Sequence, residues 1–369
     1  MFPYIIDVAL TAWISSSIVD RYNYNGIAQY QNRRKKIMLL VLILFIWVLF
    51  FAFRGTTSGD ISGYRGNYKA IFLENKSLEQ CLEKNRDKLY QILVYFCSMV
   101  FHGNWLPYAI IAGFLMYVPI FFVIAKKSED INLSCLVFLL SLNAFYGFNG
   151  LRQGLSLGFA LCAYYLGLRQ KKFFRYILLM LIAYGFHAAI LIVFPFHLLS
   201  LKKLKSFSTF ILLFLLFGAS IFLESFWGDF ASLFSDGLVS RYSSMNMDTN
   251  GSSIIRVVVS IAPVILCLFY YRSIKEKFPD IDHDILMIVF GTLFMLYSMR
   301  SVSFSQMAIY FSATIIIILP KVVRSIDVKE KRIIKGIVIT LYFLYMIIML
   351  WHGDMGLNPY IPIWEAGTY

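Results

Sequence analysis

Long apolar runs recur along this chain, separated mostly by short basic segments. Ile37–Phe53, Trp105–Ala125, Phe207–Leu223, Ile254–Tyr271, Ile285–Met299, Phe304–Leu319 and Ile333–Trp351 reach or approach the ~17–25 residues a helix needs to cross a bilayer. Hydrocarbon offers no water to a bare backbone, so such runs must satisfy their own hydrogen bonds as helices. The reading is an all-α polytopic integral membrane protein of about ten transmembrane helices, with re-entrant or interfacial helices besides. Composition agrees: 59% of residues are hydrophobic and 15% charged, where soluble domains sit near roughly half and a quarter.

The net charge of +13 does not point to nucleic acid, because the positive residues sit in short loops between apolar runs. That pattern orients membrane helices, with Lys and Arg kept in the cytoplasm. Arg33–Lys36, Arg169–Arg175, Lys202–Lys205, Arg272–Lys277 and Lys321–Lys335 all read as cytoplasmic. Met1–Val19 lacks a basic leading segment and carries Asp7, so it reads as a first span. The parity then places 54–88 and 224–253 as larger outer-face loops of one transmembrane domain covering 1–369. Two apolar stretches break the alternation if they cross. Leu89–Phe101 makes only about 20 Å of helix and reads as interfacial or re-entrant. Arg175–Ser200 lies between two basic clusters and reads as re-entrant half-helices breaking near Tyr184–His187. The alternative is one ordinary span, with Lys202–Lys205 outside.

Ionisable residues at membrane depth are costly and mark function or ion pairing. Arg54, Asp60, Tyr64 and Arg65 follow a span exit, where Gly55 and Gly59 let the backbone approach a ligand; an Arg54–Asp60 ion pair is the simpler reading. Asn149, Arg152 and Gln153 open an apolar helix, and an arginine there adds to the free N–H groups of a helix N-terminus to make an anion site. The alternative is an arginine snorkelling to headgroups. His187 is the histidine deep in an apolar segment. It suits either a buried neutral ring or an acid/base group. Arg300 and Ser303 lie in a tight outer turn, and Arg241 lies in the 224–253 loop. Several arginines on one face suit phosphate oxygens.

Soluble-enzyme motifs are absent. Gly154–Gly158 matches GxSxG in letters only and reads as a close helix-packing face. Asp280–Asp284 (DIDHD) reads as a short inside loop rather than a metal-dependent sugar-nucleotide site. The five cysteines show no CxxC pair and imply neither disulfides nor a metal centre.

The order FRG…GD…Y (Phe53–Tyr64), NGLRQ (Asn149–Gln153), FHAAI (Phe186–Ile190), an Arg-Ser turn into IYFS (Arg300–Ser312) and NPY (Asn358–Tyr360) resembles EpsG-like proteins. These belong with the Wzy-type bacterial polysaccharide polymerases of O-antigen, capsule or exopolysaccharide. The resemblance implies a GT-C-like membrane glycosyltransferase of the bacterial inner membrane, with its active face periplasmic or extracellular. Its substrate would be an undecaprenyl-pyrophosphate-linked oligosaccharide, and its partners membrane lipids, a flippase and a chain-length regulator. No cofactor or metal is implied. Arginines would hold the pyrophosphate, and one residue, with His187 and Asp60 as candidates here, would act as base towards the acceptor hydroxyl. Rival readings are a lipid-linked sugar flippase or other transporter and an O-antigen-ligase-like glycosyltransferase.

The parity is testable by substituted-cysteine labelling in a cysteine-free chain. Lys35→Cys, Lys202→Cys and Lys321→Cys should react only after the cytoplasmic side is opened. Labelling of Lys202→Cys from outside would make Arg175–Ser200 a full span.

Overall fold

In the computed structural model, the described residues are 1–19, 26–55, 60–83, 87–201, 252–299, 302–353 and 356–364. They form helices without a named strand, the one β-bridge joining Arg54 to Pro362. They divide into two compact units, 1–190 with 328–369 and 191–327.

Among the described residues the first unit holds, before residue 190, the α-helices α1 (Phe2–Val19), α2 (Gly26–Ala52), α3 (Asp60–Leu73), α4 (Leu78–Glu83), α5 (Lys88–Val100), α6 (Trp105–Lys127), α7 (Ile131–Leu140), α8 (Leu151–Cys162) and α9 (Phe173–Phe186). A last helix, Val328–Trp351, completes it. Among the described residues Arg34–Ala52, Trp105–Lys127 and Glu330–Trp351 are long and apolar enough to cross a membrane. The outward faces support that reading. Ile333, Ile337, Leu341, Leu344, Ile348 and Trp351 are exposed at helical spacing along one side of the last helix, and Val41, Leu42, Phe45 and Leu49 do the same on α2. Contiguous apolar stripes of this kind are unfavourable in water and natural in lipid. This is a helical membrane protein.

Local signals explain the helix ends. Asn104 caps α6 by accepting from Leu106 N–H at 3.1 Å, and Lys126 and Lys127 lie in its last turn, where the helix dipole favours cations. Asp130 caps α7 through Leu133 N–H at 3.0 Å and also pairs with Lys335 at 2.6 Å. The apolar run 133–148 is not one helix. It stops at Leu140, Leu142 takes a left-handed φ of 64°, and a 3-10 turn Asn143–Phe148 follows. The region 54–88, expected as a polar loop, contains α3 and α4.

The close packing expected of Gly154 and Gly158 is present where α8 meets α6. A Cβ on Gly154 would lie 2.8 Å from the Cα of Gly147, and one on Gly158 would lie 2.8 Å from the Met116 carbonyl oxygen.

In the second unit, two bent helix pairs carry apolar runs: Ile254–Phe269 with Tyr271–Lys277, bent by 72°, and Phe304–Ser312 with Ile315–Ser325, bent by 44°. The helix Ile281–Tyr297 packs against Val302–Ser312 and Ile254–Phe269. Its first turn corrects the loop expected at Asp280–Asp284. Asp282 and Asp284 are buried there; Asp282 pairs with Lys275 and accepts from Tyr271 Oη at 2.7 Å, and Asp284 pairs with Lys321 at 2.5 Å. His283, between them, is buried and hydrogen-bonds the Ser200 carbonyl. Acidic residues suit a helix N-terminus, and buried carboxylates need paired cations. The run Phe207–Leu223 lies outside the described residues.

Adding a methyl group at Gly158 must displace a backbone oxygen. Gly158→Ala should therefore lower stability by ~1–3 kcal/mol, read as a lower melting temperature in detergent. Gly336→Ala, with nothing within 4 Å of its new Cβ, serves as the control and should not.

Candidate active site

The turn from Phe148 to Gln153 gathers most of the residues singled out from sequence. Arg54, buried at the end of α2, donates to the Phe148 carbonyl at 3.3 Å and to the Gly356 carbonyl, and its guanidinium lies 5.2 Å over the Phe148 ring. It thereby joins α2, this turn and the tail. The tail is further fixed by Gly55 N–H to the Ile361 carbonyl at 2.7 Å and by Tyr360, which stacks on Phe50 and donates to its carbonyl at 2.9 Å. Asp60, exposed at the start of α3, donates its backbone N–H to Asn149 Oδ1 at 3.1 Å. Gln153 is buried in the first turn of α8. Arg65 is half-buried on α3 beside Tyr64.

Arg152 sits in the first turn of α8, where the helix dipole opposes a cation. Two side chains from elsewhere in the unit hold it. Its Nε donates to Tyr64 Oη at 3.2 Å, with the guanidinium 5.6 Å over that ring, and its Nη1 donates to Asp87 Oδ2 at 2.6 Å. Its side chain keeps about a quarter of its surface exposed. Nη2 has no partner among the described residues. An Arg fork so held presents one edge to an anion.

Asp87 is the residue that the sequence reading missed. It immediately precedes α5, and an aspartate there ordinarily caps its own helix. Here the side chain makes no cap bond. Oδ1 instead accepts from Ala188 N–H at 2.8 Å, while Oδ2 takes Arg152 and lies 3.8 Å from His187 Nδ1. Burial works to raise the Asp87 carboxyl, but the His187 ring, the Ala188 N–H and Arg152 outweigh it and hold the group below the ordinary carboxylate range. Burial pushes the Tyr64 phenol up, against the pull of Arg152.

His187 reaches this carboxylate through a packing device. A Cβ on Gly185 would lie 2.7 Å from Leu89 Cβ, so only glycine lets the end of α9 lie this close to the start of α5. The helix then stops as expected: His187 is extended (φ −154°, ψ 107°) and a 3-10 turn Ala188–Ile192 begins. The imidazole is about one-fifth exposed, and its Nδ1 is buried without a hydrogen-bond partner among the described residues.

Thus Tyr64, Arg152 and His187 come together around Asp87, Asn149 and Asp60 are tied to one another, and Arg54 is anchored to the same turn. Ser303 opens the helix Val302–Ser312 in the second unit. Arg241 and Arg300 lie outside the described residues.

A helical membrane fold with a charged, partly buried cluster of arginine, aspartate, histidine and tyrosine defines the class of protein. The EpsG family model matches residues 36–362, and the chain belongs to the EpsG family, whose members are associated with polysaccharide-polymerase-type activity in membranes. No curated protein and no solved structure matches the chain.

Because the Asp87 carboxyl is held low, its contribution to stability is fully present above the ordinary value of about 4 and is lost as pH falls through the lower folded value. Arg152→Met strands a buried carboxylate and should cost about 2–3 kcal/mol at neutral pH, less than a fully buried pair because Arg152 is partly exposed. Melting temperatures of the two proteins should stay apart from pH 8 to pH 5 and converge only in stronger acid.

Proposed function

We propose that this chain joins oligosaccharide repeat units carried on undecaprenyl pyrophosphate into a surface polysaccharide at the outer face of the bacterial inner membrane, without a metal. On this reading the chain has about ten spans and a GT-C-like fold, takes its substrate from a flippase, and works beside a chain-length regulator. The observation that carries the proposal is the assembly of Arg152, Tyr64, Asp87 and His187 in an EpsG-family chain.

The chemistry needs two groups, and this cluster supplies both. An acceptor hydroxyl attacks the anomeric carbon of the donor sugar, the bond from that carbon to the pyrophosphate oxygen breaks, and the electron pair leaves with undecaprenyl pyrophosphate. Negative charge grows on the leaving group, where the open edge of Arg152 offsets it. Pyrophosphate is a good enough leaving group to depart without a proton. The hydroxyl proton passes to a base, and His187 supplies one beside a carboxylate that favours the resulting imidazolium. Asp60, the second candidate, is exposed and spends its backbone N–H on Asn149. Arg54 spends its guanidinium on carbonyls that fix the tail and the 148–153 turn, so its part is to hold the turn that carries Arg152. Arg65, Gln153, Arg241, Arg300 and Ser303 remain proposed glycan or pyrophosphate contacts.

The rival readings differ in product. A flippase or other transporter moves the lipid-linked unit and makes no glycosidic bond, and a ligase transfers the glycan to a different acceptor. Purified protein in liposomes, given a single lipid-linked repeat unit and no other protein, should yield a ladder of longer glycans and free undecaprenyl pyrophosphate. Neither product from well-folded protein would overturn the polymerase reading. Arg152→Ala should lower ladder formation by roughly 10²-fold or more while still inserting into the membrane.

A further inference from the structure

We propose that Asp87 is the positioning residue of the base: it takes the Nδ1–H of His187, so that Nε2 carries the lone pair that accepts the hydroxyl proton. This rests on the polymerase reading above and adds to it a residue, an atom and a tautomer.

Three observations converge. First, the Asp87 carboxylate lies at the N-terminus of α5, where it could cap its own helix at no cost, yet it makes no cap bond. It is turned instead towards residues 65 and 101 positions away in the chain. Second, Oδ1 accepts from the N–H of Ala188, the residue directly after His187. The same carboxylate that faces the ring thus clamps the backbone that bears it. Third, His187 Nδ1 is buried and has no hydrogen-bond partner among the described residues, with Asp87 Oδ2 3.8 Å away. A buried nitrogen left without a partner is unfavourable. A movement of roughly 1 Å brings the pair to ordinary hydrogen-bond length. A carboxylate accepts only, so the partner nitrogen must carry the proton.

The tautomer determines what the ring can do. With Nδ1 protonated and directed at Asp87, Nε2 is left bare on the opposite edge of a ring that keeps some exposure. The acceptor O–H bond breaks, its proton moves to Nε2, and its oxygen bonds to the anomeric carbon as the pyrophosphate leaves. The imidazolium so formed stands against an ionised carboxylate, and its proton then passes to solvent. Asp87 also fixes Arg152 through Oδ2, so one side chain sets the spacing between the group that takes the proton and the group that faces the leaving anion. Tyr64 holds the other side of that arginine.

The test uses full-length protein in liposomes, with histidines labelled with 15N and the His187 signals assigned by subtraction of a His187→Gln spectrum. In the wild type at alkaline pH, solid-state spectra should show His187 protonated on Nδ1 and bare on Nε2. Asp87→Asn can still accept the Ala188 N–H through its amide oxygen. It should lower kcat by roughly 10²-fold or more, change KM for the lipid-linked unit by only a few-fold, and lose the tautomer preference. Asp87→Glu keeps the charge and should recover part of both readouts. A wild-type ring protonated on Nε2 overturns the proposal even if Asp87→Asn fails to fold. Wild-type kcat in Asp87→Asn alongside an inactive His187→Gln overturns Asp87 alone. Wild-type kcat in His187→Gln removes the base itself, and with it the role of Asp87.

Discussion

A charge taken into a low-dielectric interior must find a counter-charge or be neutralised, and in this chain that constraint falls most heavily on Asp87. Its carboxylate is nearly buried, and its lone pairs are distributed among Arg152, the Ala188 N–H and the neighbourhood of His187. Each contact comes from a different part of the first unit: α8, the break after α9, and through Arg152 also α3, by way of Tyr64. Without the carboxylate, Arg152 would stand at a helix N-terminus against the dipole with only a phenol for support. The same constraint governs the second unit, where Asp282 and Asp284 are buried against lysines. The difference is chemical. Those carboxylates are held by lysines, with a tyrosine hydroxyl at Asp282, whereas the Asp87 cluster adds an imidazole beside a partly exposed arginine.

The supporting fold is arranged so that this cluster can exist. Gly185 permits the approach of α9 to α5 that brings the imidazole to the carboxylate, and Gly154 and Gly158 permit the approach of α8 to α6 that sets the helix bearing Arg152. Arg54, donating to the Phe148 carbonyl, and the Asp60 N–H, donating to Asn149 Oδ1, fix the turn ahead of that helix from two sides. Small residues set the helix approaches, while the side chains of Arg54, Tyr64 and Asp87 fix the turn and the arginine that it carries.

Much of this was legible in the sequence because it is local. Apolar runs such as Ile37–Phe53 and Trp105–Ala125 declare helices by length alone. The break at His187 follows from glycine and aromatic residues interrupting an apolar segment. Arg152 and His187 stood out as ionisable groups in apolar surroundings. Asp87 did not, because an aspartate before an apolar helix reads as a cap, and its true partners lie 65 and 101 residues away. The acidic turn at Asp282–Asp284 was misread as a loop for a similar reason: its neutralising lysine on the following helices, Lys321, is distant in sequence. The end of α7 at Leu140 was hidden because Leu142, an apolar residue with no turn preference, takes the left-handed backbone.

In the proposed mechanism the exposed edge of Arg152 holds the leaving pyrophosphate, and Asp87 retains the other edge. A structure of the protein bound to undecaprenyl pyrophosphate in a lipid nanodisc tests it most directly. Expected are a phosphate oxygen about 2.9 Å from Arg152 Nη2, Nη1 still on Asp87, and the His187 ring edge facing the same ligand. A pyrophosphate bound elsewhere, with Arg152 engaged only by Asp87 and Tyr64, would contradict it.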